Sequence, residues 1–224
     1  MDVEFYFDPA CTWSWAASRW LVEVAPHRNL RLHWRSFSKL IGQGTQGIDD
    51  WDLTSRTASH RALRMIEAVR VDHPEVIGEL YDALLTRAVT ERAEVNPPFS
   101  NLPAVLEEVG LDRGYAGAAY DERWDEVIRK SMADAYAVVG DGAGTPVTVL
   151  WLDRPTGFQG PLVCPAPTGA DALGLWDAFA RLASLPGVFE ISRPRPRRLE
   201  LPPAWAMLRR AATELPFLPD DDGR

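Results

Sequence analysis

The chain opens on alternation: Val3, Phe5 and Phe7 are apolar, whereas Asp2, Glu4 and Tyr6 are polar or amphipathic. A period of two predicts a strand over 2–7 with one apolar face. Asp8-Pro9-Ala10 breaks it, and Cys11-Thr12-Trp13-Ser14 stands at the junction with the next element. Trp20, Leu21 and Val24 recur at helical spacing, which predicts a helix over 15–24 with Pro26 and Asn29 marking its end. A second alternating run sets Leu30, Leu32 and Trp34 against Arg31, His33 and Arg35. Strand, helix and strand within about 37 residues is the size of a right-handed βαβ unit.

The pattern then changes period. After a loop at Gly42-Gln43-Gly44-Thr45-Gln46-Gly47, the stretch 54–138 reads almost wholly helical, with Leu63, Ile66 and Val69 on one face. Pro74 suits the first turn of a second helix running to Ala93, and Asn96-Pro97-Pro98 is a stop. A short helix over 102–109 closes at Gly110. Asp112 is placed to cap a longer helix whose Trp124, Ile128, Ala135, Val138 and Val139 share a face and which ends at Gly140. Strand signals return at 147–152, followed by a turn at Arg154-Pro155-Thr156-Gly157 and a partner strand over 158–163. Thr168 and Asp171 mark a helix start, and Leu175, Phe179 and Leu182 form its stripe. The run Arg193-Pro194-Arg195-Pro196 reads as a linker before a short helix over 204–212. The order βαβ, helical block, ββα predicts a three-layer α/β domain interrupted by a helical insertion.

Composition narrows the function. At 224 residues, with 46% apolar and 25% charged side chains, the chain can bury a sizeable core and does not read as disordered. Its formal net charge of −8 counts against nucleic acid as a partner. No apolar run reaches membrane length, and Met1-Asp2-Val3-Glu4-Phe5 lacks the basic start of a signal peptide. A cytoplasmic location is the expectation. Cys11 and Cys164 are the only cysteines, too few for a disulfide framework, and His27, His33, His60 and His73 add no metal-ligand spacing. No metal and no tightly bound cofactor is expected. Lysine occurs only at Lys39 and Lys130, and arginine supplies the rest of the basic charge.

The candidate chemistry lies at Cys11. A cysteine that follows a strand and opens a helix meets unpaired backbone N–H groups and the positive end of the helix dipole, both of which favour thiolate over thiol. Ser14 stands where a second cysteine would complete a Cys-x-x-Cys pair. Its hydroxyl can donate to a thiolate but cannot attack a mixed disulfide, so release of a bound partner falls to a second small thiol or to Cys164. The alternative is that Cys11 is a small buried hydrophobe. Thr145-Pro146 is the second signal: a proline at the very start of a strand, which in the cis form would present the Thr145 backbone beside Cys11. Trp13 joins no apolar stripe and is a candidate pocket wall, whereas Trp20, Trp34, Trp124 and Trp176 read as core. Cys164, at the end of the expected strand, reads as an inert residue.

Together these features resemble the DsbA-like branch of the thioredoxin superfamily over nearly the whole chain. The resemblance implies a thioredoxin-fold domain formed by 1–42 and 140–192, a helical insertion over 43–139, and a C-terminal extension over 193–224 with a short helix. More narrowly, the stretch from Phe7 to Trp20 is similar to the active-site stretch of the mycothiol-dependent nitroreductase family, as are Gly144-Thr145-Pro146, Phe158-Gln159-Gly160-Pro161 and Leu175-Trp176-Asp177. That family carries Cys-Pro-Trp-Cys. Its nucleophile falls on Cys11, its tryptophan on Trp13 and its cis-proline on Pro146, while Thr12 and Ser14 replace its motif proline and second cysteine. The resemblance implies catalysis at Cys11 and Ser14, with Thr12, Trp13, Thr145 and Pro146 around the substrate. It also implies mycothiol as cosubstrate and a small molecule or mixed disulfide as its partner. A kappa-type thiol transferase or isomerase, a non-catalytic redox sensor and a homodimer all stay open at this point.

Overall fold

The computed structural model of the protein describes residues 1–44, 50–90, 99 and 101–194. Alternation at the N-terminus yields strand β1 (Asp2–Phe7), and the second alternating run yields β2 (Arg31–Ser36). They pair in parallel with Val3 opposite Leu32 and Phe5 opposite Trp34, so the large apolar side chains meet on one face. Phe5 and Trp34 touch edge to face at 5.6 Å. β1 was expected to have a single buried face, yet Tyr6 on the other face is also fully buried. A second layer explains this: Arg35 lies over the Tyr6 ring at 5.8 Å and is held by Asp134 at 2.8 Å from helix α6 (Trp124–Val139).

Between the two strands runs α1 (Thr12–Arg28). It does not stop at Pro26 but passes through it, and Asn29, at φ 50°, closes the helix with its N–H bonded to the Ala25 carbonyl. A proline in the last turn forfeits one backbone bond, here where Val22 faces solvent. The helical stretch contains α2 (Lys39–Gln43), α3 (Asp50–Asp72), α4 (Ile77–Thr90) and α5 (Leu102–Glu108) before α6. Gly42 and Gln43, expected in a loop, are therefore helical, while Thr45 to Gly47 lie outside the described residues, as do Ala93 and Asn96-Pro97-Pro98. Pro74 opens a 3-10 turn, Pro74–Val76, that leads into α4. Asp112 caps a separate 3-10 segment, Arg113–Tyr120, by accepting from the Gly114 N–H at 2.6 Å, so the long helix starts twelve residues later than that cap.

The sheet is completed by β3 (Val147–Trp151) and β4 (Pro155–Gln159), in the order β2-β1-β3-β4 with β3 antiparallel to both neighbours. The expected turn at 154–157 is thus already strand. Pro155 is tolerated as the first residue of an edge strand, where its missing N–H is not needed by a neighbour. The strand ends at Gln159, before a cis Gly160-Pro161 bond, so 160–163 is loop. Helix α7 (Gly169–Ala183) follows. Its buried stripe is Ala172, Trp176, Phe179 and Ala183, one step round from the expected Leu175 and Leu182. Thr168 makes no cap bond; the Gly169 N–H donates instead to Glu23 of α1 at 3.1 Å. The linker from Arg195 and the helix over 204–212 lie outside the described residues. Among the described residues no helix is long and apolar enough to cross a membrane.

Candidate active site

Three consecutive constraints place Cys11. The Cys11 N–H donates to the Asp8 carbonyl at 2.9 Å, which folds 8–11 into a tight turn at the end of β1. Cys11 is the N-cap of α1, with extended backbone (φ −99°, ψ 102°), and the Trp15 N–H donates back to its carbonyl at 3.3 Å. Asp8 then pins the turn from below. Its carboxylate, wholly buried, accepts from the Ala10 N–H at 2.7 Å, the Ser59 hydroxyl at 2.5 Å and the Lys39 N–H at 2.6 Å. One side chain thereby joins the end of β1, the start of α2 and the middle of α3. Burial pushes the Asp8 carboxyl up from its ordinary range, and the Ser59 hydroxyl, the largest opposing influence, pulls it back.

The Thr145-Pro146 bond is cis, and the Cys11 thiol donates to the Thr145 carbonyl at 3.5 Å. These residues, 134 apart in sequence, are brought together as the pattern implied. Two features of the cysteine bear on the activated-thiolate expectation. The cysteine at a strand-to-helix turn is not exposed: its relative exposure is 7%, because β3 brings Thr145 across it. Its sulfur also makes no cap bond with the helix amides. Its one hydrogen-bond partner among the described residues is the Thr145 carbonyl oxygen.

The other expected residues divide. Thr12 faces solvent, Trp13 is half-buried, Thr145 is half-buried and Pro146 is buried. Ser14 is fully buried, and its hydroxyl has no hydrogen-bond partner, so it does not donate to the Cys11 sulfur in this geometry. The Thr145 hydroxyl is likewise buried and unpartnered. Cys164 sits half-buried in a loop before a cis Pro165 rather than at a strand end, and no disulfide joins it to Cys11. Trp20, Trp34 and Trp176 are buried as expected, whereas Trp124 is only half-buried. A cleft of about 630 Å³ between Asp72, Tyr115 and Trp124 is lined by none of the expected site residues. No cluster of His, Cys, Asp and Glu able to hold a metal occurs among the described residues.

The sequence did not single out several residues that are buried on α1, α3 and α4. Trp15 is buried, and its indole N–H donates to Asp82 of α4 at 3.2 Å, while Arg19 pairs with Asp82 at 2.7 Å. Tyr81, next to Asp82, is fully buried, its ring 4.1 Å from that of Phe7, and its hydroxyl has no partner. Burial holds the Tyr81 proton far more tightly than usual, and the charge of the nearby Cys11 adds to this. His60 on α3 is buried between the Ser38 hydroxyl at 3.0 Å and Asp125 at 2.9 Å, which ties α2, α3 and α6 together. The only local signal for any of these was Asp8 itself, a carboxylate held between an apolar strand and a proline.

Comparison with known proteins follows the same lines. The fold is similar to that of the cytosolic disulfide reductase DsbM from Pseudomonas aeruginosa, with a TM-score of 0.53 at 18% identity, covering 82% of this chain and 100% of that one. It is also similar to a 2-hydroxychromene-2-carboxylate isomerase, with a TM-score of 0.50 at 20% identity over 81% of this chain and 96% of that one. These likenesses carry the fold, a DsbA-like thioredoxin fold. In sequence, the chain is 28% identical to the uncharacterized protein Rv2286c of Mycobacterium tuberculosis over 207 residues, 89% of this chain and 85% of that protein. Residues 10–193, from the cysteine turn past α7, match the Rv2466c-like profile, described as mycothiol-dependent nitroreductase Rv2466c, and the chain belongs to that family.

Proposed function

We propose that the protein is a thiol-disulfide oxidoreductase-like enzyme that uses one nucleophilic cysteine, Cys11, together with a low-molecular-weight thiol, mycothiol, in thiol exchange or in reduction of a small substrate. The observation that carries this reading is the position of Cys11 at the N-cap of α1 beside the cis Thr145-Pro146 bond. Membership of a family described as mycothiol-dependent supports the choice of thiol, and the DsbM structure with GSH (TM-score 0.51) offers a parallel of a bound small thiol on this fold. In the exchange, the Cys11 thiolate attacks one sulfur of a mixed disulfide. A new S–S bond to Cys11 forms, the old one breaks, and the displaced thiolate takes a proton from solvent. Because Ser14 has no sulfur, a second mycothiol thiolate then attacks the adduct, re-forming the Cys11 thiolate and leaving as a disulfide.

The test is intact mass after incubation with oxidised mycothiol. Native protein gains one adduct at Cys11, reduced mycothiol removes it, and Cys11→Ser gains none. A native protein that takes no adduct while the unfolded chain does overturns the reading. Addition of a thiol to an electrophile that persists in Cys11→Ser favours a kappa-type transferase instead.

A further inference from the structure

The cleft between the end of α3, the 3-10 segment and the start of α6 plays no part in the chemistry at Cys11. At about 630 Å³ it has the size of a small-molecule site. Trp124, expected in the core, is half-buried, lies outside the core and lines this cleft. Tyr115 supplies a second aromatic ring. Gly117 keeps the space open, since a Cβ built there would meet nothing within 4 Å. The charge is uneven: Asp72, Asp112 and Asp121 line the cleft with one cation, Arg123. Arg123 is spent on Asp121, its Nε 2.8 Å from that carboxylate. Asp72 accepts from the Tyr115 hydroxyl at 2.6 Å and Asp112 from the Gly114 N–H at 2.6 Å. Neither forms an ion pair among the described residues. The Arg123 guanidinium also lies over the Trp124 ring, 4.9 Å from its centroid, so one face of this indole already takes a cation.

We propose that this cleft is a second binding site, separate from the cysteine turn, for an organic cation: an amine or quaternary ammonium carried on an apolar or aromatic body. The Trp124 and Tyr115 rings receive the body and attract the charge through their π faces. Asp72 and Asp112 supply the two negative charges that the chain leaves without a cation. Tyr115, by donating to Asp72, holds that carboxylate in place without neutralising it. An anion entering the same space would meet both carboxylates, with the one guanidinium already engaged by Asp121. A neutral ligand would fill the space but leave both carboxylates unpaired. The chemistry of the walls therefore selects for positive charge.

The probe is benzyltrimethylammonium, with benzoate and benzyl alcohol as its anionic and neutral counterparts, titrated into the full chain and followed by calorimetry and by the indole N–H signals in NMR. The signal of Trp124 is the one missing from Trp124→Phe. The cation binds saturably, one to one, and shifts that signal, whereas the other two probes bind at least about fivefold more weakly, the worth of one charge at close range in water. Asp72→Asn, which keeps an oxygen to accept from Tyr115, weakens the cation by about the same factor. Gly117→Leu, which fills the open space, abolishes binding, and Cys11→Ser binds as the parent does. Absence of saturable binding, equal affinity for benzoate or benzyl alcohol, or shifts in other indole signals while that of Trp124 stays fixed overturns the proposal. So does an Asp72→Asn or Gly117→Leu protein that binds the cation like its parent. The selectivity among the three probes is measured on the parent, so the proposal can be refuted even where a variant fails to fold.

Discussion

Gly157→Ala and Gly174→Ala are the same chemical change with opposite expected signs. Gly157 lies in β4 opposite Val149 of β3. A Cβ added there would stand 2.1 Å from the Thr148 carbonyl oxygen, 2.8 Å from the Val149 Cα and 2.9 Å from the Thr148 carbonyl carbon. All three are backbone atoms, so no side-chain rotation relieves the clash and β4 must move by about an ångström. Overpacking costs about 1–3 kcal/mol, and a shifted backbone places this case near the upper end. About 3 kcal/mol lowers the melting temperature of a domain this size by about 6–12 °C. Gly174, by contrast, is an exposed position inside α7 whose Cβ would meet nothing within 4 Å. Alanine there gains helix propensity of about 1 kcal/mol, worth about 2–4 °C. The displacement also reaches the site: the Gly160 N–H donates to the Pro146 carbonyl at 2.7 Å, and the Thr148 hydroxyl to the Gly160 carbonyl at 2.7 Å. Cys11 alkylation therefore quickens in Gly157→Ala and not in Gly174→Ala. Thermal denaturation followed by circular dichroism checks the pair. A Gly157→Ala protein that melts with its parent, or a Gly174→Ala protein that melts lower, refutes the steric argument.

Two further outcomes are expected. Ser14→Cys places a thiol three residues after Cys11, the spacing at which side chains meet on a helix; a mycothiol adduct on Cys11 then resolves within the chain, leaving a protein two hydrogens lighter than the reduced form, whereas the parent adduct persists until a second thiol arrives. Mass spectrometry over time separates the two, and an equally persistent adduct in both sinks the single-thiol reading of Ser14. His60 is held below its usual range mainly by burial, with Asp125 opposing and Arg64 assisting. As pH falls through about 6.5 the unfolded chain binds a proton before the folded one does, so stability is lost toward the depressed folded value. Melting curves between about pH 7 and 5 should fall for the parent and flatten for His60→Gln, even though that variant starts less stable; parallel slopes refute the assignment.

Where a signal depends on neighbours in sequence, it was legible. Alternation in β1 and β2, the glycine ends of α5 and α6 and the proline at the start of β3 are local, and the structure follows them. Pro155 misled because whether a strand tolerates proline depends on its place in the sheet, and edge position is a property of the whole sheet. Asp112 has the chemistry of a cap, but the glycine-rich run after it forms a 3-10 segment rather than the long helix. The exposure of Cys11 could not be read from its own turn, since Thr145, which covers it, comes from the other end of the domain. Tyr81 was hidden for a similar reason: on α4 it is one aromatic residue on an apolar face, and only the fold shows it packed against Phe7 with its hydroxyl buried and unpartnered.

Helix α1 is fastened along its length to α7 by the Glu23 bond to the Gly169 N–H, the Trp20 indole bond to the Ala172 carbonyl at 2.9 Å, and the Arg28 fork on Asp177 at 2.7 Å. The partners in these three ties are separated by 146, 152 and 149 residues. A nascent polypeptide leaving the ribosome therefore carries Cys11 on an incompletely anchored helix until almost the entire domain has been translated.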